Sequence, residues 1–131
     1  MLPYVIEVDG RFGGQLTIGN IAHGSLRSAW IGYWVAAGLT GGGVATGALA
    51  LGLDHCFGPV NLHRVEATVR PENAASRRVL AKAGFREEGL LRRYLHVDGD
   101  WRDHLLVAMT VDEVEGSVAA RLVRRGLARW S

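Results

Sequence analysis

A run of glycines is the feature of this sequence whose residue types best suit chemistry. Four glycines fall within six residues, namely Gly38, Gly41, Gly42 and Gly43. The run follows an aromatic and β-branched segment that ends at Val35 and precedes a small-residue segment that begins near Val44. Glycines at a helix start expose backbone N–H groups at the positive end of the helix dipole, where phosphates bind. The run therefore indicates a phosphate or pyrophosphate site, although such glycines are also ordinary turn residues.

Two common nucleotide-binding motifs match this run poorly. A P-loop ends in Gly-Lys-Ser/Thr, which the chain lacks, and the dinucleotide fingerprint requires a third glycine where the chain has Thr46. Neither an NTPase nor a dinucleotide-dependent enzyme is indicated.

Composition limits the class of protein. A chain of 131 residues with 48% hydrophobic and 21% charged residues predicts one globular domain. The longest apolar stretch, Val44 to Leu53, is too short and too rich in glycine to span a bilayer, and no signal segment opens the chain. We therefore expect a cytoplasmic protein without a membrane partner. A net charge of +2 is too small to indicate nucleic-acid binding.

The cysteine and the histidines do not form a pattern typical of a metal site. Its single cysteine, Cys56, excludes an internal disulfide and a cysteine-based zinc cluster, and apolar neighbours predict a buried thiol. His63, His96 and His104 have no metal-like spacing. We expect no metal and assign these histidines to surface or structural roles.

Turn residues and apolar periodicity divide the chain into strands and helices. The predicted strands are Tyr4–Val8, Gln15–Ile18, Ser28–Val35, Arg64–Arg70, Gly89–Val97 and Trp101–Val111, and the predicted helices are Val44–Phe57 and Ala74–Ala83. A strand, a helix and a strand in series imply a right-handed crossover between parallel strands. The expected fold class is α/β, with a mixed, mostly antiparallel sheet and a central parallel strand-helix-strand crossover.

The end of the chain has its own pattern. Asp112 and Glu115 have capping-box spacing and predict a last helix, and from Gly116 onward the chain has four arginines and no acids. We therefore divide the chain into one domain, 1–113, and a C-terminal basic helix, 114–131. A solvated face, a docking surface for RNA-bound or acidic partners and an interface all fit this helix, and we infer no direct nucleic-acid binding from it.

The motifs, taken together, resemble a known family. The order Thr40-Gly-Gly-Gly-Val-Ala45, strand, Asn73-x-x-Ser76, helix and Gly84-Phe85 resembles the GNAT superfamily of acetyl-CoA-dependent N-acyltransferases. Within it the chain is most similar to the ribosomal-protein-alanine N-acetyltransferases, on the segments Gly32-Tyr-Trp-Val35, His63-Arg-Val-Glu-Ala67, Pro71-Glu-Asn73, Ala83-Gly-Phe-Arg-Glu-Glu-Gly89 and Trp101-Arg-Asp103. The resemblance covers about Tyr4 to Glu113.

This resemblance implies a GNAT-like domain that takes acetyl-CoA as co-substrate and acetylates a primary amine. A protein N-terminal α-amine is the first acceptor to expect, and a small-molecule amine is the second. The family normally opens with a strand and two helices that help form the acceptor groove, and the sequence begins at the strands that follow them. A truncated, non-catalytic CoA-binding or interaction module, and self-association into a homo-oligomer, are therefore further expectations.

The resemblance also implies roles for individual residues. A bulge at Val35 would separate its strand from the next, Asn73 would contact the pantetheine arm, and Ser76 would lie near the sulfur. The pyrophosphate would be held by the loop and first helical turn, which comprise Thr40, Gly41, Gly42, Gly43, Val44, Ala45 and Thr46. Thr40 stands where the family usually has Gln or Arg. Asn73 and Ser76 also suit simple helix capping.

The catalytic proton transfers are less well defined. Leu80 occupies the position where many relatives have a tyrosine that acts as general acid. In this chain the leaving sulfur must therefore take its proton from Ser76 or from water, or depart directly as a thiolate. The amine also needs a base. Thr68 stands where one branch has its glutamate base. Glu66 on the same strand face is our candidate, and an ion pair with Arg64 or Arg70 is the structural alternative.

Overall fold

The computed structural model describes residues 2–8, 11–35, 44–114 and 117–119. Its strands are β1 (Leu2–Val8), β2 (Arg11–Ala22), β3 (Ser28–Val35), β4 (Arg64–Val69), β5 (Arg86–Val97) and β6 (Asp100–Thr110), and its helices are α1 (Val44–Phe57) and α2 (Ala74–Ala83). The strands form one sheet in the order β1-β2-β3-β4-β6-β5. The β3–β4 pair is parallel and the other pairs are antiparallel, which confirms the expected mixed α/β class.

The junction between β5 and β6 is a tight turn. The β5–β6 hairpin turns at Asp98 and Gly99, whose positive φ values of 52° and 82° are typical of an Asp-Gly hairpin turn. Val8 pairs with Arg11, so β1 and β2 adjoin across Asp9-Gly10, a predicted turn that lies outside the described residues.

Both helices cover one face of the sheet, which we call the helix face. Helix α1 contacts β2, β3, β4 and α2. Val65, Ala67 and Val69 are buried, as their alternation predicts, while Glu66 and Thr68 point to the opposite side, which we call the far face. Residues of α2 therefore lie on one side of the sheet, and Glu66 and Thr68 lie on the other side.

The core lies between α1 and the central strands. Leu49, Leu53 and Cys56 are fully buried on α1. At Gly52 a Cβ atom would lie 3.1 to 3.3 Å from side-chain atoms of Leu16 and Ile31, so glycine permits this close packing. Cys56 is the buried thiol that the sequence predicts, and burial raises its pKa to about 11.

Helix α2 has well-defined ends. Asn73 Oδ1 accepts the Ser76 backbone N–H at 3.1 Å, so Asn73 is the N-cap. At the other end Gly84 has a φ of 114°, and the Phe85 N–H donates to the Leu80 carbonyl at 3.0 Å. This geometry confirms Gly84 as a left-handed helix stop with Phe85 folded back behind it.

The predicted capping box at Asp112 and Glu115 is wrong. A 3-10 turn covers Val111–Glu113, its capping box is formed by Thr110 and Glu113, and Val114 is extended. Thr110 and Glu113 have the same spacing two residues earlier, and Asp112 instead binds His63 at 3.1 Å. Of the predicted basic helix, 114–131, only Val114 and the short stretch 117–119 are described, because residues 115–116 and 120–131 lie outside the described ranges.

The helical residues Val118 and Ala119 are held by a distant carboxylate. Asp54 of α1 accepts the backbone N–H of Val118 at 2.6 Å and that of Ala119 at 3.1 Å.

We expect Asp54→Ala to lower the free energy of unfolding by about 1 to 2 kcal/mol, as loss of a helix cap does. Urea unfolding measures this effect. Asp112→Ala removes an exposed carboxylate and should cost less than about 0.5 kcal/mol; equal losses in the two variants would contradict the capping role.

Candidate active site

A gap opens between the two parallel strands at the centre of the sheet. The β3–β4 ladder contains three pairs, Ser28–Arg64, Ala29–Val65 and Trp30–Glu66. Strand β3 continues to Val35 beside β2, and β4 continues to Val69 beside β6. Each strand follows its antiparallel partner, and the sheet twist carries the two apart. We call this opening the splay.

The walls of the splay consist of backbone edges. No ladder pair joins β3 and β4 over the described ranges 31–35 and 67–69. Backbone N–H and C=O groups that face the splay need hydrogen-bond partners. An extended ligand that carries amide groups, such as a pantetheine arm, provides complementary donors and acceptors.

The described part of β3 has no bulge between Trp30 and Val35, where the bulge was predicted. The β2–β3 register is continuous from Gly19–Trp30 to Gly14–Val35, and the recorded shift lies between Gly19 and Ala22. The strands separate immediately after Trp30 without a bulge, because β4 stays with β6. Val35 is the last β3 residue and forms the end of one wall.

The predicted pyrophosphate loop is described only where it enters the helix. Thr40, Gly41, Gly42 and Gly43 lie outside the described residues, whereas Val44, Ala45 and Thr46 are the first three residues of α1. The first amides of a helix lack helical partners, and the first turn of α1 has no acidic residue to occupy them. The Thr46 side chain is buried, so Thr46 would offer its backbone N–H to an anion.

Ser76 has a partner that the sequence did not reveal. Its Oγ lies 3.0 Å from the hydroxyl of Tyr33, which projects from the β3 wall on the helix face. Burial raises the pKa of Tyr33, so its hydroxyl is neutral at pH 7. The alternation of Ile31 and Tyr33 indicates the helix face, but no local pattern indicates contact with a residue 43 positions away. Leu80, one turn after Ser76, is buried in the core.

Glu66 lies on the far face, at the last pair of the parallel ladder. Its Oε1 accepts the Nε–H of Arg64 at 2.8 Å, which confirms the predicted ion pair with Arg64. Arg64 also binds Glu88, and hydrogen bonds to Glu88 and then Glu66 raise the pKa of Arg64. Arg70 pairs instead with Glu72. The ion pair engages one carboxylate oxygen, and a catalytic role for Glu66 stays a prediction.

The site therefore has two sides. Ser76 and Tyr33 approach the splay from the helix face, and Glu66 lies on the far face at its narrow end. An acyl group held in the splay could be attacked by a nucleophile from the far face while its leaving group departs toward Ser76. This arrangement suits acyl transfer with a proton acceptor and a proton donor on opposite sides.

The histidines have structural partners. His63 binds Asp112, and the buried His104 donates its Nδ1–H to the Arg102 carbonyl at 3.1 Å. Within the described ranges no three His, Cys, Asp or Glu residues are placed to hold a metal ion. The described helices are also too short or too polar to cross a membrane.

Comparisons with known proteins agree with this geometry. The acetyltransferase (GNAT) domain model matches residues 2–86. The chain is similar to the structure of Mycobacterium smegmatis RimJ in complex with CoA-disulfide, with a TM-score of 0.96 and 71% sequence identity. The alignment covers 99% of this chain and 62% of the RimJ chain.

Two curated relatives are also similar. The probable N-acetyltransferase YjcK of Bacillus subtilis (strain 168) is 41% identical over 101 residues, which are 77% of this chain and 56% of that protein. The [ribosomal protein uS5]-alanine N-acetyltransferase of Escherichia coli (strain K12) is 33% identical over 100 residues, 76% of this chain and 52% of that protein. The chain thus spans a little over half the length of these relatives. The match to the domain model over most of the chain, together with the splayed parallel strands, shows that this chain belongs to the GNAT acetyltransferase family.

Proposed function

We propose that this chain takes part in transfer of an acetyl group from acetyl-CoA to a primary amine, with a protein N-terminal α-amine as the acceptor. The observation that carries the proposal is the splay between β3 and β4, with Ser76 at one side and Glu66 at the other. The similarity to an enzyme named for ribosomal-protein alanine acetylation supports the choice of acceptor.

The residues of the site fit acetyl-CoA. The first turn of α1, which has no acidic residue, would hold the pyrophosphate together with the preceding loop. The facing edges of β3 and β4 would pair with the pantetheine amides, and Asn73 lies at the start of α2 beside Ser76. Acetyl-CoA supplies the acetyl group as a reactive thioester.

Each candidate residue then has one task. Glu66 takes a proton from the amine, directly or through water, so that the nitrogen can attack. A backbone N–H on the β3 wall, at or near Val35, polarises the acetyl carbonyl, an effect typically worth about 3 kcal/mol in the transition state. Ser76 supplies a proton to the sulfur as the C–S bond breaks and the N–C bond forms.

Release of free CoA thiol tests this proposal. The chain is mixed with acetyl-CoA, a chromogenic thiol reagent and a short peptide that begins with alanine. Thiol release should require the free α-amine and should disappear when that peptide is acetylated in advance. Cys56 contributes little background, because its thiol is buried and its pKa is about 11.

The acceptors also separate the alternatives. Faster release with a polyamine than with the peptide would favour a small-molecule acceptor. No release with any amine, despite CoA binding measured by thermal shift, would favour a non-catalytic CoA-binding module and would contradict the proposal.

A further inference from the structure

A hydrogen bond between two side chains connects the walls of the site. Tyr33 stands on β3, Ser76 in the first turn of α2, and their hydroxyl oxygens lie 3.0 Å apart. Ser76 is itself fixed by the Asn73 cap, which accepts its backbone N–H. The Tyr33–Ser76 pair therefore has a defined position at the splay, on the side that faces the helices.

The direction of this hydrogen bond determines what Ser76 can do. A serine hydroxyl has one proton to donate and two lone pairs that accept. A Tyr33 hydroxyl that donates to Ser76 leaves the serine proton available for another acceptor. Burial raises the pKa of Tyr33, so the Tyr33 hydroxyl keeps the proton that such a hydrogen bond to Ser76 requires.

From this geometry we infer that Tyr33 is a positioning residue: its hydroxyl donates to Ser76 Oγ and thereby directs the Ser76 proton into the splay, toward the leaving sulfur. The inference rests on the proposed function and names a residue that the sequence did not indicate. Tyr33 itself does not touch the reacting atoms.

The proton transfers balance with Tyr33 unchanged. The Ser76 proton passes to the sulfur as the C–S bond breaks, while the Tyr33 O–H stabilises the negative charge that develops on Ser76 Oγ. The amine proton passes through Glu66 to water, and Ser76 recovers a proton from water. Tyr33 keeps its own proton throughout.

A double-mutant cycle tests the inference. Tyr33→Phe should lower kcat about tenfold and leave KM for acetyl-CoA within about twofold, because it removes an interaction that matters in the transition state. In a Ser76→Ala background the same substitution should have no further effect, since its target is gone. Tyr94→Phe is the matched control on an exposed tyrosine and should leave kcat unchanged. Equal losses in both backgrounds, or a change in KM alone, would overturn the inference.

A binding measurement tests the same pair without turnover. A Ser76 proton directed at the sulfur should make the chain bind CoA about fivefold more tightly than desulfo-CoA, since a hydrogen bond contributes about 1 kcal/mol. Tyr33→Phe and Ser76→Ala should both remove this preference. If both substitutions remove the preference for CoA over desulfo-CoA but no amine is acetylated, the proposed function fails and the positioning role stands. A preference that Tyr33→Phe retains, no preference in the unmodified chain, or no binding of either compound would overturn the positioning role.

Discussion

Replacing Ala45 with aspartate should weaken CoA binding roughly 30-fold while α1 stays folded. Ala45 is the second residue of α1, in a first turn without acidic residues. A carboxylate at this position lies close to any pyrophosphate held by the helix amides, and two like charges about 4 Å apart repel by roughly 1 to 4 kcal/mol, depending on the local dielectric. The same carboxylate interacts favourably with the helix dipole, so unfolding cannot explain a loss of binding.

Ala45→Asn is the matched control, because asparagine has nearly the shape of aspartate without its charge. Calorimetric titration with CoA should show a large loss of affinity for Ala45→Asp and a loss of about threefold or less for Ala45→Asn. Added salt should partly restore binding to the aspartate variant. Similar affinities for the two variants would place the pyrophosphate elsewhere.

Leu53→Ala should lower the free energy of unfolding by about 3 kcal/mol, within the 2 to 5 kcal/mol that such core truncations cost. Leu53 is fully buried between α1 and the sheet, where it belongs to the core cluster. Removing its side chain leaves a cavity under the helix that carries the proposed pyrophosphate site. CoA should bind the folded fraction with little change, since Leu53 does not face the splay.

The same helix provides the control for this prediction. Leu51 is 52% exposed, and Leu51→Ala should change stability by less than about 0.5 kcal/mol. Urea unfolding of both variants compares the same substitution two residues apart. Comparable losses would show that α1 is not packed against the sheet through Leu53.

The sequence was sufficient to predict the elements that position the site. Strand β3 covers Ser28–Val35 and α1 covers Val44–Phe57, as predicted, because glycines and apolar periodicity indicate both boundaries. Strand β5 begins at Arg86 rather than Gly89, because Arg86 and Glu87 already pair with β6. The error at Asp112 also arises from a tertiary contact. Thr110–Glu113 and Asp112–Glu115 have the same capping-box spacing, and the contact of Asp112 with His63 favours the Thr110–Glu113 box.

The contacts that connect distant segments could not be predicted in this way. The Tyr33–Ser76 hydrogen bond and the Asp54 cap each join residues more than 40 positions apart. They depend on how the chain places α2 over the splay and Val118 beside α1, which periodicity does not determine. The Arg64–Glu66 pair was predictable because alternate residues of one strand share a face.

The most direct test of the central claim is the mass and position of the acetyl group on a peptide product. The chain is incubated with acetyl-CoA and a peptide that begins with alanine and also contains an internal lysine, and fragment-ion mass spectrometry locates the modification. We predict one acetyl group on the N-terminal nitrogen, at a rate that Ser76→Ala lowers at least about tenfold. An unmodified peptide, or an acetyl group on the lysine alone, would contradict transfer to a protein N-terminal α-amine.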